Sequence, residues 1–110
     1  MAELVTEGSN LAIRMSQREE FFALKRSFTV PWSHVVNIAQ VGDVWVHLRG
    51  LRAPGTGFPG VIMLGTTRYQ GKKDFCAVYG HKPGLVVTLV GNAFERILLS
   101  TESSAPDLNS

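Results

Sequence analysis

Residues 49–60 read RGLRAPGTGFPG, and the reading of this stretch decides how the flanking sequence is organised. It holds four of the chain's 11 glycines and two of its 5 prolines. On both sides of it, apolar and polar residues alternate with the period of two expected of half-buried strands. The stretch itself does not alternate. At about a dozen residues it lies at the upper edge of ordinary loop lengths, where loops are functional or unusually well packed. The expectation is therefore a long glycine-rich loop set among strands.

Working outward towards the C-terminus, residues 61–66 read as a strand and residues 67–71 as a turn that includes Arg68. Residues 72–79 read as the return strand, with Phe75, Ala77 and Tyr79 on one face and Cys76 and Val78 on the other. A turn at 80–84, a strand at 85–90, a turn at Gly91-Asn92 and a last strand at 94–100 follow. The remaining residues form a polar tail containing Pro106.

Towards the N-terminus, residues 44–48 suit a short strand or a turn of helix, and residues 35–41 alternate as a strand. Trp32-Ser33-His34 reads as a turn or 3₁₀ step after a β-rich run that Pro31 closes. Ser16 and Glu19 have capping-box spacing, which starts a helix of about two turns at Gln17. That helix sets Phe21, Phe22 and Leu24 near one face, and burial statistics assign the aromatic pair to the core. Residues 11–15 read as a strand, the Gly8-Ser9-Asn10 run as a turn, and residues 1–9 as an edge strand or a flexible arm. Short strands at such regular spacing predict a single mainly β domain spanning 1–110, its sheet closed into a barrel or sandwich.

Composition narrows the function classes. The 110 residues form one domain large enough for a modest core. A formal charge of +2 is too small a basic surplus to argue for nucleic acid. One cysteine, Cys76, allows no internal disulfide and fits a reducing compartment. The opening MAELVTEGSN carries two acids and lacks the apolar core of a signal peptide. No apolar run approaches the ~20 residues that span a bilayer. These features predict a cytoplasmic domain with no integral membrane segment.

The run RAPGTGFPGVIMLGT, the segments KDFCAVYG and FERILLS, and the earlier FTVPWSHVVNI resemble bacterial pleckstrin-homology-like domain proteins of the type common in actinobacteria. The resemblance spans residues 11–101. It implies a bent antiparallel barrel of about seven strands with a C-terminal helix plugging one end. Only about ten residues follow the last strand, so that helix is expected to be shortened. The resemblance carries no established activity, and fold alone supplies none.

The chemistry-bearing candidates start with the loop. Residues 55–60 match G-x-G-x-x-G, but a dinucleotide fingerprint needs a helix to begin within the motif. Here Pro59 interrupts it and the β-branched pair Val61-Ile62 follows. Two readings of the loop remain. Its glycines provide special backbone geometry, or its amides form an anion nest beside Arg49 and Arg52. The second reading makes Arg49, Arg52, Gly55, Thr56, Gly57 and Phe58 the ligand-binding set. In the first, the arginines pair with Asp43 or Asp74 and hold the loop shut.

Phe58 is either a folding anchor or an exposed contact, and Trp45 reads as core. The bases Arg68, Lys72 and Lys73, with His81 and Lys82 in the next turn, read as solvated turn charges. His34, His47 and His81 lack metal spacing, so no metal is expected. Cys76 sits mid-strand as an inert thiol, no nucleophile elbow is present, and the adjacent acids Glu19 and Glu20 diverge on a helix. The functional expectation is a non-catalytic binding module without a cofactor. Its partner would be another protein or a second copy, met through a sheet edge or the loop face. The alternative is a small anionic ligand held by residues 49–60.

Overall fold

Two-residue alternation sorts the apolar side chains onto opposite faces of each strand, and the computed structural model shows what those faces meet. It describes residues 2–58 and 60–101; for 51–54 only the backbone is described. Three strands, β1 (Glu3–Glu7), β2 (Asn10–Arg14) and β3 (Phe28–Pro31), form an antiparallel sheet in the order β1-β2-β3. The helix α1 (Gln17–Ala23) lies between β2 and β3 in sequence.

A 3₁₀ turn (Trp32–His34) leads into β4 (Val35–Val41), and a second (Trp45–His47) precedes β5 (Leu51–Phe58). The strands β6 (Ile62–Tyr69), β7 (Lys72–Val78), β8 (Gly84–Leu89) and β9 (Arg96–Ser100) complete a six-stranded sheet. Its order is β4-β8-β9-β7-β6-β5. More than half of the described residues are strand, which settles a mainly β class.

The closed barrel is not what forms. The larger sheet ends at β4 on one side and β5 on the other, and the smaller sheet is separate. The order also departs from a meander, because β9 enters between β7 and β8 and runs parallel to β7. The cause is visible in β9 itself. Ile97, Leu98 and Leu99 are all fully buried, so both faces of this strand are covered. A strand apolar on both faces belongs inside a sheet rather than at its edge.

The long loop is also corrected: residues 51–58 are strand β5, hydrogen-bonded antiparallel to β6. The turn expected at 67–71 shrinks to Gln70-Gly71, with φ of 50° and 78°. Paired positive φ values suit a two-residue hairpin, and glycine accepts one of them without strain. The tail, residues 102–110, lies outside the described residues, and with it the question of a plugging helix.

The two faces of the larger sheet carry separate cores. Phe75, Ala77, Leu85, Val87, Ile97 and Leu99 pack towards Leu11, Ile13 and Val30 of the smaller sheet. Cys76, Val78, Val86 and Leu98 pack on the other side against Val44, with Trp45 and Leu48 over them. The face assignment read from residues 72–79 therefore holds, and the segment at 44–48 is a helical turn that lids the second core. Burial pushes the Cys76 thiol up to about 12, which keeps it protonated and inert at neutral pH.

Candidate functional site

The capping box that starts α1 also builds the floor of a groove. The Ser16 amide donates to Glu19 Oε1 at 2.9 Å, and the Glu19 amide donates to Ser16 Oγ at 3.2 Å. The other carboxylate oxygen, Oε2, accepts from the Tyr79 hydroxyl at 2.5 Å. Glu19 is only 4% exposed. A buried carboxylate is tolerable because both of its oxygens are hydrogen-bonded. Thr56 Oγ1 donates to the Phe22 carbonyl at 2.8 Å and ties β5 to the end of the helix.

Above this floor, Phe22, Phe58, Ile62 and Leu64 form apolar walls, with Arg18 at the margin. The cavity is about 450 Å³, within the range of small-ligand or side-chain clefts. The aromatic pair predicted to be core is on the surface instead: Phe21 is 70% and Phe22 40% exposed. The helix turns Glu19 and Ala23 inward. These are i and i+4, so they share one face; Phe21 points away from it, and Phe22, at i+3 from Glu19, lies at its margin, on the rim of the groove. The two rings meet edge-on at 5.3 Å. Across the groove Phe58 is 63% exposed. Phe22 and Phe58 thus leave exposed apolar surface on the walls of a cleft with a polar floor.

Burial, reinforced by the Glu19 carboxylate, raises the Tyr79 phenol above its ordinary value. The unfolded chain ionises this phenol near pH ~10. The contribution to stability is therefore full below that pH and is lost as pH rises through the higher folded value. A tyrosinate absorbance titration should show a late-ionising phenol in the native protein. Tyr79→Phe should remove that late step; an unchanged titration would contradict the buried hydrogen bond.

The opposite face of β5 is different chemistry. Thr56 and Phe58 face the groove, whereas Gly57 lines a hollow of about 310 Å³ with Trp45, Leu48, Arg49, Met63 and Thr67. Arg49 is locked in ion pairs. Its Nε donates to Asp74 Oδ2 at 2.8 Å and its Nη2 to Oδ1 at 3.1 Å and to Glu95 Oε1. Arg96 reaches the same Asp74 Oδ2 from Nε and Nη2, at 3.1 and 2.8 Å, and also donates to the His47 carbonyl. Lys72 pairs with Glu95 at 3.0 Å. The carboxylates raise the Arg49 pKa, and Arg49 with Lys72 lowers that of Glu95.

The predicted set of six residues is thus divided by strand alternation. Thr56 and Phe58 enter the groove, and Arg49 and Gly57 lie on the other side. Gly55 lies hard against the Leu64 carbonyl. The Arg52 side chain falls outside the described residues. Sequence reading missed Arg18, Ile62 and Leu64 and gave Glu19 no role beyond its cap. The capping box and the placement of Tyr79 on the face of Phe75 and Ala77 were the available signals, but nothing in the chain announces that the two meet.

Elsewhere, His81 Nδ1 lies 2.8 Å from Asp43 Oδ2, and His34 Nδ1 lies 3.1 Å from the Asn92 side-chain amide. The described residues contain no cluster of ligating side chains able to hold a metal, and no helix long and apolar enough to cross a membrane. Lys72 begins β7 and the His81-Lys82 pair follows its other end, so they make no common basic rim. Comparisons with protein-family models, curated proteins and solved structures find no match to this chain.

Proposed function

We propose that the chain is a non-catalytic interaction module that receives apolar side chains of a protein partner in the groove between α1 and the β5–β6 hairpin. The observation carrying this reading is the exposure of Phe22 and Phe58 on the walls of an apolar cleft closed below by Glu19 and Tyr79. Charge at its mouth specifies the partner further. Glu19 is buried, and Glu20 is engaged by the Ser27 amide at 2.6 Å. Arg18 lines the cleft and is exposed. A partner segment with apolar anchors and acidic flanks complements this pattern. An anionic small ligand at residues 49–60 has less support, because Asp74 and Glu95 already engage the Arg49 guanidinium.

Fluorescence anisotropy with two labelled peptides tests the proposal. Both carry Leu and Phe anchors, one with glutamate flanks and one with lysine flanks. Saturable binding of the acidic peptide is expected, weakened about tenfold or more by Phe58→Ser, as for an anchor-pocket residue. Arg18→Glu should reverse the preference between peptides. Binding of neither peptide, or binding indifferent to Phe58→Ser and Phe22→Ser, would overturn it.

A further inference from the structure

We infer that the outer edge of β4 pairs antiparallel with β4 of a second copy of this chain, joining two six-stranded sheets across a two-fold axis. This inference is independent of the groove. Among the described residues the two sheets present four edge strands, β1, β3, β4 and β5. Native edges are normally guarded by charge, proline, shortness or cover, because unpaired backbone groups template further pairing.

Three of the four are guarded. The strand β1 has Glu3 and Glu7 at its ends, and Glu7 is ion-paired to Arg14. The strand β3 has four residues and ends in Pro31. The strand β5 contains Pro54, breaks register between Arg52 and Gly55, and is tied to α1 through Thr56. By contrast β4 reads VVNIAQV, seven residues with no charge, no proline and no glycine. Val36 is 63% exposed, and Asn37 and Gln40 are exposed beside it.

The occupant follows from this composition. An irregularity between Val35 and Asn37 leaves residues 37–41 in regular register on β8. Antiparallel self-pairing about Ala39 sets Asn37 opposite Val41 and Ile38 opposite Gln40. The smallest side chain of the strand then lies on the axis, and no like charges face each other. A foreign strand would be selected by charge or side-chain pockets, and β4 offers no charge. Pairing at β4 alone uses one edge per chain, and the guarded β5 stops propagation. Edge pairing buries little area, so the dimer is weak and concentration-dependent.

Sedimentation equilibrium across a wide concentration range tests this, with hydrogen–deuterium exchange at its two ends. The mass should rise from 12.0 kDa towards twice that value, and β4 amides should exchange more slowly at high concentration. Asn37→Lys and Gln40→Lys, at exposed positions, should each weaken association about tenfold, since each charge enters twice across the axis. Thr29→Lys on the β3 edge should leave it intact. A monomer at every concentration, a dimer indifferent to both β4 lysines, or a dimer without added β4 protection would overturn the inference. The exchange measurement on the unmodified chain decides even where a variant folds poorly.

Discussion

Asp74→Ala should lower the unfolding free energy by about 3 kcal/mol, near the lower end of the range for breaking a buried ion pair. Asp74 is 2% exposed and accepts four hydrogen bonds from two guanidinium groups. Removing it leaves Arg49 and Arg96 facing each other without their shared anion. Both arginines retain some access to water, 26% and 17% for their side chains, and partial hydration keeps the loss from being larger. At roughly 4 °C per kcal/mol for a domain of this size, the thermal midpoint should fall by about 12 °C.

The same carboxylate joins the segment before β5 to β7 and β9, and Arg96 extends the link to the His47 carbonyl. Arg49→Ala in the Asp74→Ala background should therefore cost much less than in the unmodified chain. A cycle showing strict additivity, or an Asp74→Ala midpoint within 3 °C (under ~1 kcal/mol) of the parent, would refute the anchoring role.

Gly55→Ala is the second large effect. Gly55 has a φ of 142°, and a Cβ there would lie 2.1 Å from the Leu64 carbonyl oxygen and 2.8 Å from Gly65 Cα. These neighbours are backbone, so relief requires β5 to move away from β6. The cost should be about 2–4 kcal/mol, combining backbone strain with lost pairing. Gly42→Ala is the matched control, because a Cβ at Gly42 meets nothing within 4 Å. Equal denaturant midpoints for the two variants would remove the close-approach explanation for Gly55. Because β5 carries Thr56 and Phe58 into the groove, Gly55→Ala should also weaken binding of the acidic peptide, whereas Asp74→Ala, acting on the other face, should not below its melting range.

Local chemistry made much of this protein legible in its sequence. Ser16 and Glu19 announced the helix start, since a capping box needs only residues three apart. Val35–Val41 and the faces of residues 72–79 followed from alternation, a property of one strand alone. Other features depended on which elements came together. Residues 49–60 looked like a loop because glycine and proline usually interrupt strands, yet Gly55 is required where β5 presses on β6. The place of β9 between β7 and β8 was set by burial on both of its faces, which a single strand's pattern does not assign to neighbours.

Phe21 and Phe22 were read inward on hydrophobicity. The helix turned Glu19 inward instead, because Tyr79, sixty positions away, supplies its hydrogen bond. The groove exists through that long-range pair. Sequence determined the start of α1, most of the strands and the two faces of residues 72–79, because those obey interactions within a few residues. Only the tertiary structure decided which faces became core and which became surface, because that depends on partners far apart in the chain.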